Sequence, residues 1–195
     1  MLVNLSNLIG ATILSMQASG PIAVITGTIV DPETLRIIAF RVGGPLVKRA
    51  NILDVRSVRE YSQYGMVVDS IDDFSEPGDI IKISKIIELN FDLVGLKVET
   101  KKGSKLGKVS SFTVTTDVFS VQQLIVKRPL MKSFLDPELV IPRSEIVEIT
   151  DYKVIVKDEE RKIVEKASHE DFVPNFVNPF RKSEQAPVRV DSKKE

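Results

Sequence analysis

The chain has 195 residues, and its 27 Lys and Arg balance 27 Asp and Glu, so its overall charge gives no footprint for nucleic acid or membrane. It has no Cys and one His, His169. That composition excludes disulfides, thiolate zinc sites, iron–sulfur clusters and cysteine nucleophiles, and it leaves a multi-histidine metal site without its residues.

Residues 1–30 carry no charged side chain. Asn4, Ser6, Asn7, Thr12, Ser15, Gln17 and Ser19 interrupt the apolar run, and no basic residue precedes it. The expectation is therefore buried strands joined by a Gly20-Pro21 turn, with no signal peptide and no integral membrane segment. A cytoplasmic location follows as an expectation. Gly27 inside a strand pattern points to a β-bulge, and Asp31-Pro32-Glu33-Thr34 reads as a turn. Phe40 and Val42 alternate with polar neighbours, as a half-buried strand does. Gly43-Gly44 then reads as a turn, because a phosphate-cradling loop needs more glycines, a Lys-Ser/Thr pair and a following helix.

Asp72, Asp73, Glu76 and Asp79 form an acidic cluster. Paired carboxylates bind metals or serve as acid and base, but the calcium-loop spacing is missing. A solvated linker, or negative charge ahead of a helix, is the reading adopted. No metal, no cofactor and no catalytic residue is expected. Pro77-Gly78 marks a break, and Ile80, Ile83, Ile86 and Ile87 have the spacing of a short helix of about three turns. Their β-branching leaves a strand open as the alternative. This segment is expected to dock on one or both of its neighbours.

In the second half, Lys101-Lys102-Gly103-Ser104 reads as a turn, and Ser110-Ser111 breaks a strand alternation as Gly27 does. Phe112 with Val114, and Leu124 with Val126, alternate as strands. Asp158-Glu159-Glu160-Arg161-Lys162 reads as an exposed loop or hairpin. Beyond Ser168 the scattered charges with Pro174, Pro179 and Pro187 read as a disordered tail, in which His169 is a solvent-exposed side chain.

The chain repeats itself. Pro45-Leu46-Val47-Lys48 recurs as Pro129-Leu130-Met131-Lys132 at an offset of 84 (129 − 45). The same step pairs Ile22 with Leu106, Val30 with Val114, Ile37 with Val121, Phe40 with Leu124 and Val42 with Val126. Leu8-Ile9-Gly10 matches Leu93-Val94-Gly95 at a step of 85, and Asp54-Val55-Arg56-Ser57-Val58 matches Glu145-Ile146-Val147-Glu148-Ile149 at 91. Apolar positions recur while polar ones diverge, which is the pattern of one fold used twice. The expected organisation is a first small β-barrel over 1–75, a connecting segment over 76–90, a second barrel over 91–168 and a flexible tail over 169–195.

Leu106-Gly107-Lys108-Val109 through Val126, followed by Ile141-Pro142-Arg143-Ser144-Glu145-Ile146-Val147-Glu148-Ile149, resembles the PRC-barrel family. The first half resembles it more weakly. It keeps Asp31-Pro32-Glu33-Thr34, but Leu35 stands where the family's turn has glycine and Ala23 stands at a hairpin glycine. The resemblance implies an all-β fold of two tandem PRC-like barrels, used as binding modules and without catalytic residues to carry over. Relatives of the family include the C-terminal domain of the ribosome maturation factor and the cytoplasmic domain of the photosynthetic reaction centre H subunit.

The candidate binding surface is the repeated Pro-Leu-apolar-Lys segment: Pro45, Leu46 and Lys48 in the first copy, and Lys127, Arg128, Pro129, Leu130, Met131, Lys132 and Phe134 in the second. Basic and large apolar side chains interleave there, which suits an adaptable partner surface. The competing reading is that Leu46 and Leu130 close the ends of their barrels while the lysines are solvated. The expected function is a non-catalytic adaptor that binds a protein partner. The alternatives are a factor associated with the ribosome or a ribosomal protein, and a carboxylate- or lysine-dependent enzyme. DNA is not an expected partner.

Overall fold

The computed structural model describes residues 1–129 and 138–158. The predicted tail over 169–195, with His169, lies outside the described residues, as do Leu130, Met131, Lys132 and Phe134. The described chain is mostly β.

The first half builds a seven-stranded sheet from β2 (Thr12–Ser15), β3 (Gly20–Asp31), β4 (Arg36–Gly43), β5 (Ile52–Asp54), β6 (Glu60–Ser62), β7 (Gly65–Val68) and β8 (Phe74–Ser75). Its order is β6-β7-β2-β3-β4-β5-β8. The second half builds its sheet from β9 (Lys97–Thr100), β10 (Lys105–Thr115), β11 (Val121–Lys127), β12 (Glu138–Pro142), β13 (Ile146–Ile149) and β14 (Lys153–Val156), in the order β13-β14-β9-β10-β11-β12. Six strands correspond in order, β6 with β13 through β5 with β12, and among the described residues β8 has no counterpart. The correspondence includes the one parallel pairing in each half, β2 with β7 and β9 with β14.

The correspondence extends to detail. Gly10 and Gly95 both hold positive φ, 85° and 94°, and each donates its amide at 2.8 Å, to the Ile25 and Val109 carbonyls respectively. The β3–β4 ladder slips between Ile25 and Gly27 and again between Ile29 and Val30. The β10–β11 ladder slips at the matching places, Val109/Ser111 and Thr113/Val114. The bulges expected at Gly27 and Ser110-Ser111 are thus present, and they bend both long strands in the same way. Later in the repeat the register corrects the sequence reading. Phe40 pairs with Leu53 while its counterpart Leu124 pairs with Ile141, so the step there is 88 (141 − 53), not 91. The extra residues lie between β11 and β12.

The N-terminus packs on the second half and the connecting segment on the first. The N-terminal strand β1 (Leu2–Asn4) pairs not with its own half but with β10, Val3 opposite Val114, and Val3 is buried there. The short helix α1 (Leu5–Leu8) follows, capped by Asn4, whose Oδ1 accepts from the Ser6 amide at 3.0 Å and from Ser111 Oγ at 2.8 Å. In the other direction, the connecting segment forms the helix α2 (Ile81–Glu88), of eight residues. That is about two turns, shorter than expected, because Ile80 keeps extended backbone. Ile83 packs with Ile29, Ala39 and Ile52 of the first sheet, and Ile80, Ile86 and Ile87 cover the same patch. The isoleucine spacing therefore marks a helix, and its docking face is the first sheet.

The two sheets meet at their β3–β4 and β10–β11 turns. The Ile37 amide donates to the Phe119 carbonyl and the Val121 amide to the Leu35 carbonyl, both at 2.9 Å. Between these bonds Arg36 pairs antiparallel with Ser120. Arg36 and Ser120 are counterparts at the step of 84 (120 − 36), so the contact has local two-fold symmetry of the kind found in isologous dimers. Phe119 crosses into the first half and sets its ring edge-on against Phe40, with centroids 5.3 Å apart. One hydrophobic core runs through both halves, from Leu8, Ile13 and Phe40 to Phe112, Leu124 and Val154.

Candidate functional site

The sequence-predicted residues fall in two different settings. In the first half, Pro45, Leu46 and Lys48 are exposed in a turn closed by the Val47 amide on the Gly44 carbonyl at 3.0 Å. Leu46 is 56% exposed, so it does not close the end of its sheet. It borders a shallow pocket of about 300 Å³ with Lys48, Ile71, Asp72 and Phe74. The acidic cluster beside it does backbone work. Asp73 Oδ2 accepts the Asp69 and Ser70 amides at 2.9 and 3.0 Å, and Asp79 Oδ2 accepts the Glu76 amide at 2.7 Å.

In the second half, Lys127, Arg128 and Pro129 stand on one wall of a groove of about 540 Å³. The other walls are Lys97 and Glu99 on β9, and Lys105, Gly107 and Lys108 on β10. The strand registers explain the concentration of charge. Lys153 pairs with Lys97, Lys97 with Lys108, Lys108 with Lys127, and Lys127 with Glu138. Four lysines on four adjacent strands therefore form one cross-strand row that ends at a glutamate. Each lysine lies beside a valine that faces the core: Val98, Val109, Val126 and Val154 are all buried. The alternation of the strands turns the lysines to the outer surface. With strands about 4.8 Å apart, the row is about 14 Å long.

Lys153 reaches Glu99 Oε2 at 3.2 Å. Among the described residues no carboxylate forms an ion pair with Lys97, Lys108 or Lys127. Like charges placed directly opposite each other across strands are unfavourable. The row contains three such neighbouring pairs. Lys97, Lys108 and Lys127 are exposed, and long lysine side chains in such places keep their charged heads in water above apolar stems.

Folding does not require this arrangement, because the first half builds the same strand positions without it. The counterparts of Lys153, Lys97, Lys108 and Lys127 are Gly65, Thr12, Val24 and Gly43, and these occupy the corresponding ladder positions of β7, β2, β3 and β4. Those of Lys105 and Arg128 are Pro21 and Gly44. The groove's cations are therefore a property of the second half alone.

Gly107 is the hinge of the groove. Its φ is +151°, and a Cβ there would stand 2.1 Å from the Lys127 carbonyl oxygen. Only glycine lets β10 pass so close to the end of β11, and this closeness brings Lys108 and Lys127 side by side.

Lys97, Lys108 and Lys153 were not singled out by sequence reasoning. Their signal is a lysine next to a buried valine in β9, β10 and β14, set against Thr12-Ile13, Val24-Ile25 and Gly65-Met66 in the first copy. Among the described residues, no helix is long and apolar enough to cross a membrane. No protein-family model and no curated protein matches the chain.

Proposed function

We propose that the chain is a non-catalytic binding module for a protein partner, built from two PRC-type barrels, in which the first half is scaffold and the second presents the recognition face. One observation carries this reading: the halves share a strand frame, yet only the second carries a cross-strand row of lysines that its fold does not need, three of them lining a groove. Natural sequences break local rules chiefly at functional sites, and three like-charged neighbour pairs on one surface are such a break. Composition supports the non-catalytic part, since the chain lacks Cys and has a single His.

The test is site-specific photo-crosslinking in cells. A crosslinking residue at Ser110, beside the row, is compared with one at Thr26, its counterpart in the first half. The expected result is a discrete adduct with another protein from position 110 and none from position 26. Equal or absent adducts at both positions overturn the assignment of roles.

A further inference from the structure

We infer that the lysine row is a docking site for an extended acidic segment of a partner protein, with carboxylates at alternating positions. The inference rests on the protein-binding reading above and adds the chemistry of the ligand. Its basis is the match between the row and an extended chain laid along it, across the strands of the sheet. An extended chain advances about 3.4 Å per residue, so carboxylates at i, i+2 and i+4 cover about 14 Å on one side. That is the length of the row from Lys153 to Lys127, of which Lys97, Lys108 and Lys127 line the groove while Lys153, ion-paired with Glu99, does not. Lysine is a flexible point charge with rotatable donors, which lets lysines about 4.8 Å apart meet carboxylates about 6.8 Å apart.

Two other polyanions fit less well. Single-stranded nucleic acid is held by aromatic platforms as well as charge, and among the described residues no aromatic side chain lines the groove. Tyr152 is exposed and precedes Lys153 in the chain, but it is not part of the groove wall. An anionic membrane is a plane, whereas the groove lined by Lys97, Lys108 and Lys127 is concave, with Glu99 inside it and Glu138 next in the row beyond Lys127. A narrow chain with discrete charges enters such a groove, and its own backbone amides have those glutamates as acceptors.

The experiment uses the full chain and three fluorescent probes: a peptide with glutamate at alternate positions, an oligouridylate of similar charge, and vesicles containing phosphatidylserine. Anisotropy or co-sedimentation is measured at low and high salt for the wild type and for the triple variant Lys97→Gln/Lys108→Gln/Lys127→Gln. The glutamate peptide is expected to bind the wild type best, with affinity falling as salt rises. Each exposed ion pair contributes roughly two- to fivefold in affinity, so the triple variant should bind about tenfold or more weakly. Amide shifts on titration should centre on residues 97, 108 and 127. Because the variant removes like-charge neighbours, its urea midpoint should be unchanged or raised, which separates lost binding from lost folding. Equal binding by the triple variant overturns the proposal, as does tighter binding of the oligouridylate or the vesicles. If the crosslinked partner adduct persists in the triple variant, the module binds a protein elsewhere: the inference fails and the protein-binding reading stands. If the adduct is absent from the wild type as well, both fail.

Discussion

Leu35 and Phe119 occupy equivalent turns in the two halves, and both hold left-handed backbone, with φ of 52° and 47°. Each carbonyl accepts a hydrogen bond from the strand that follows the other's turn. Left-handed backbone costs a residue with a Cβ about 1–2 kcal/mol, and glycine would avoid that cost. Both side chains are instead buried at the meeting of the two sheets, Phe119 only 4% exposed and Leu35 6%. Burial outweighs strain. Phe119→Gly removes a core aromatic worth about 3–5 kcal/mol and relieves the strain, so a net loss of about 2–4 kcal/mol is expected from urea unfolding. Leu35→Gly should lose about 1–3 kcal/mol on the same reasoning. Asn90 also has positive φ, 49°, but is exposed. Asn90→Gly should change stability by less than about 0.5 kcal/mol. A stabilised Phe119→Gly variant would show that the turn, not the side chain, joins the halves.

Arg143 locks the same turn from outside. Its guanidinium donates to the Thr34 carbonyl at 2.7 Å, Ser120 Oγ at 2.9 Å, and the Val121 and Leu35 carbonyls at 3.2 and 3.3 Å. These acceptors belong to both halves, and a planar fork is what reaches them together. Arg143→Met is expected to cost about 2–3 kcal/mol, since several charge-assisted bonds go and their acceptors lose a partner. Arg143→Lys should recover less than half of that loss, because a single ammonium cannot span the set. Full rescue by lysine in urea titrations would mean that charge, not geometry, does the work.

The pairing of β1 with β10 predicts that the second half is not independent of residues 1–4. Removing residues 1–4 takes away β1, the buried Val3, the Asn4 cap and the bond from the Thr116 amide to the Met1 carbonyl at 3.0 Å. Hydrogen exchange at Thr116 should accelerate to the rate of an open loop in the truncated chain, and the urea midpoint of the second half should fall. Protection at Thr116 equal to that of the full chain would show that β1 is dispensable.

The sequence made the repeat legible because core positions recur: Phe40 with Leu124 and Val42 with Val126 hold equivalent places in the two sheets. The bulges at Gly27 and Ser110-Ser111 and the isoleucine face of α2 were also legible, since each is a local departure from a local period. The later offset is not legible because Asp54-Val55 and Glu145-Ile146 share an acidic-apolar pattern, whereas the sequence between β11 and β12 that absorbs the insertion has no such marker. The partner of β1 was not legible, since Leu2-Val3-Asn4 suits any apolar strand edge. The lysine row was missed for a related reason. It depends on non-local register, with Lys153 parallel to Lys97 and Lys97 opposite Lys108, and no local motif encodes that. Lys127 was found only through its neighbouring repeat, and Leu46 was credited with a packing role that its exposure contradicts.

Acid should weaken the first half through Asp54. Burial alone would raise this carboxyl, but hydrogen bonds from the Arg56 side chain and amide, with the charges of Arg56 and Lys82, outweigh it and hold it below the usual carboxylate range. A carboxyl depressed in the folded state contributes stability that is complete above its unfolded pKa, about 3.9, and is lost as pH falls through the folded value. The gap in unfolding free energy between the wild type and Asp54→Asn should therefore be constant from about pH 7 to pH 5 and narrow below about pH 4. A gap that persists undiminished at pH 3 would place the contribution of Asp54 in its neutral hydrogen bonds.

Gly107 ties the fold to the groove, and its replacement separates the two contributions. In Gly107→Ala the added Cβ meets the Lys127 carbonyl at 2.1 Å and the carbonyl carbon at 2.9 Å, on backbone with φ of +151°. Backbone atoms cannot swing aside as a flexible side chain would, so β10 and β11 must part at the position where Lys108 faces Lys127. A loss of at least about 2 kcal/mol is expected from the clash and the strained φ together. Binding of an acidic peptide should weaken as well, even though every lysine of the row remains, because the row depends on spacing as much as on charge. The counterpart in the first half is Ala23, which already carries a Cβ, and there the close approach has moved to Gly65 against the Thr12 carbonyl at 2.3 Å. Gly65→Ala should therefore cost comparable stability, measured by the same urea titration, while leaving peptide affinity at the wild-type value under conditions where the variant is folded. If both substitutions reduce affinity equally, stability alone governs binding, and the groove of the second half has no special claim to it.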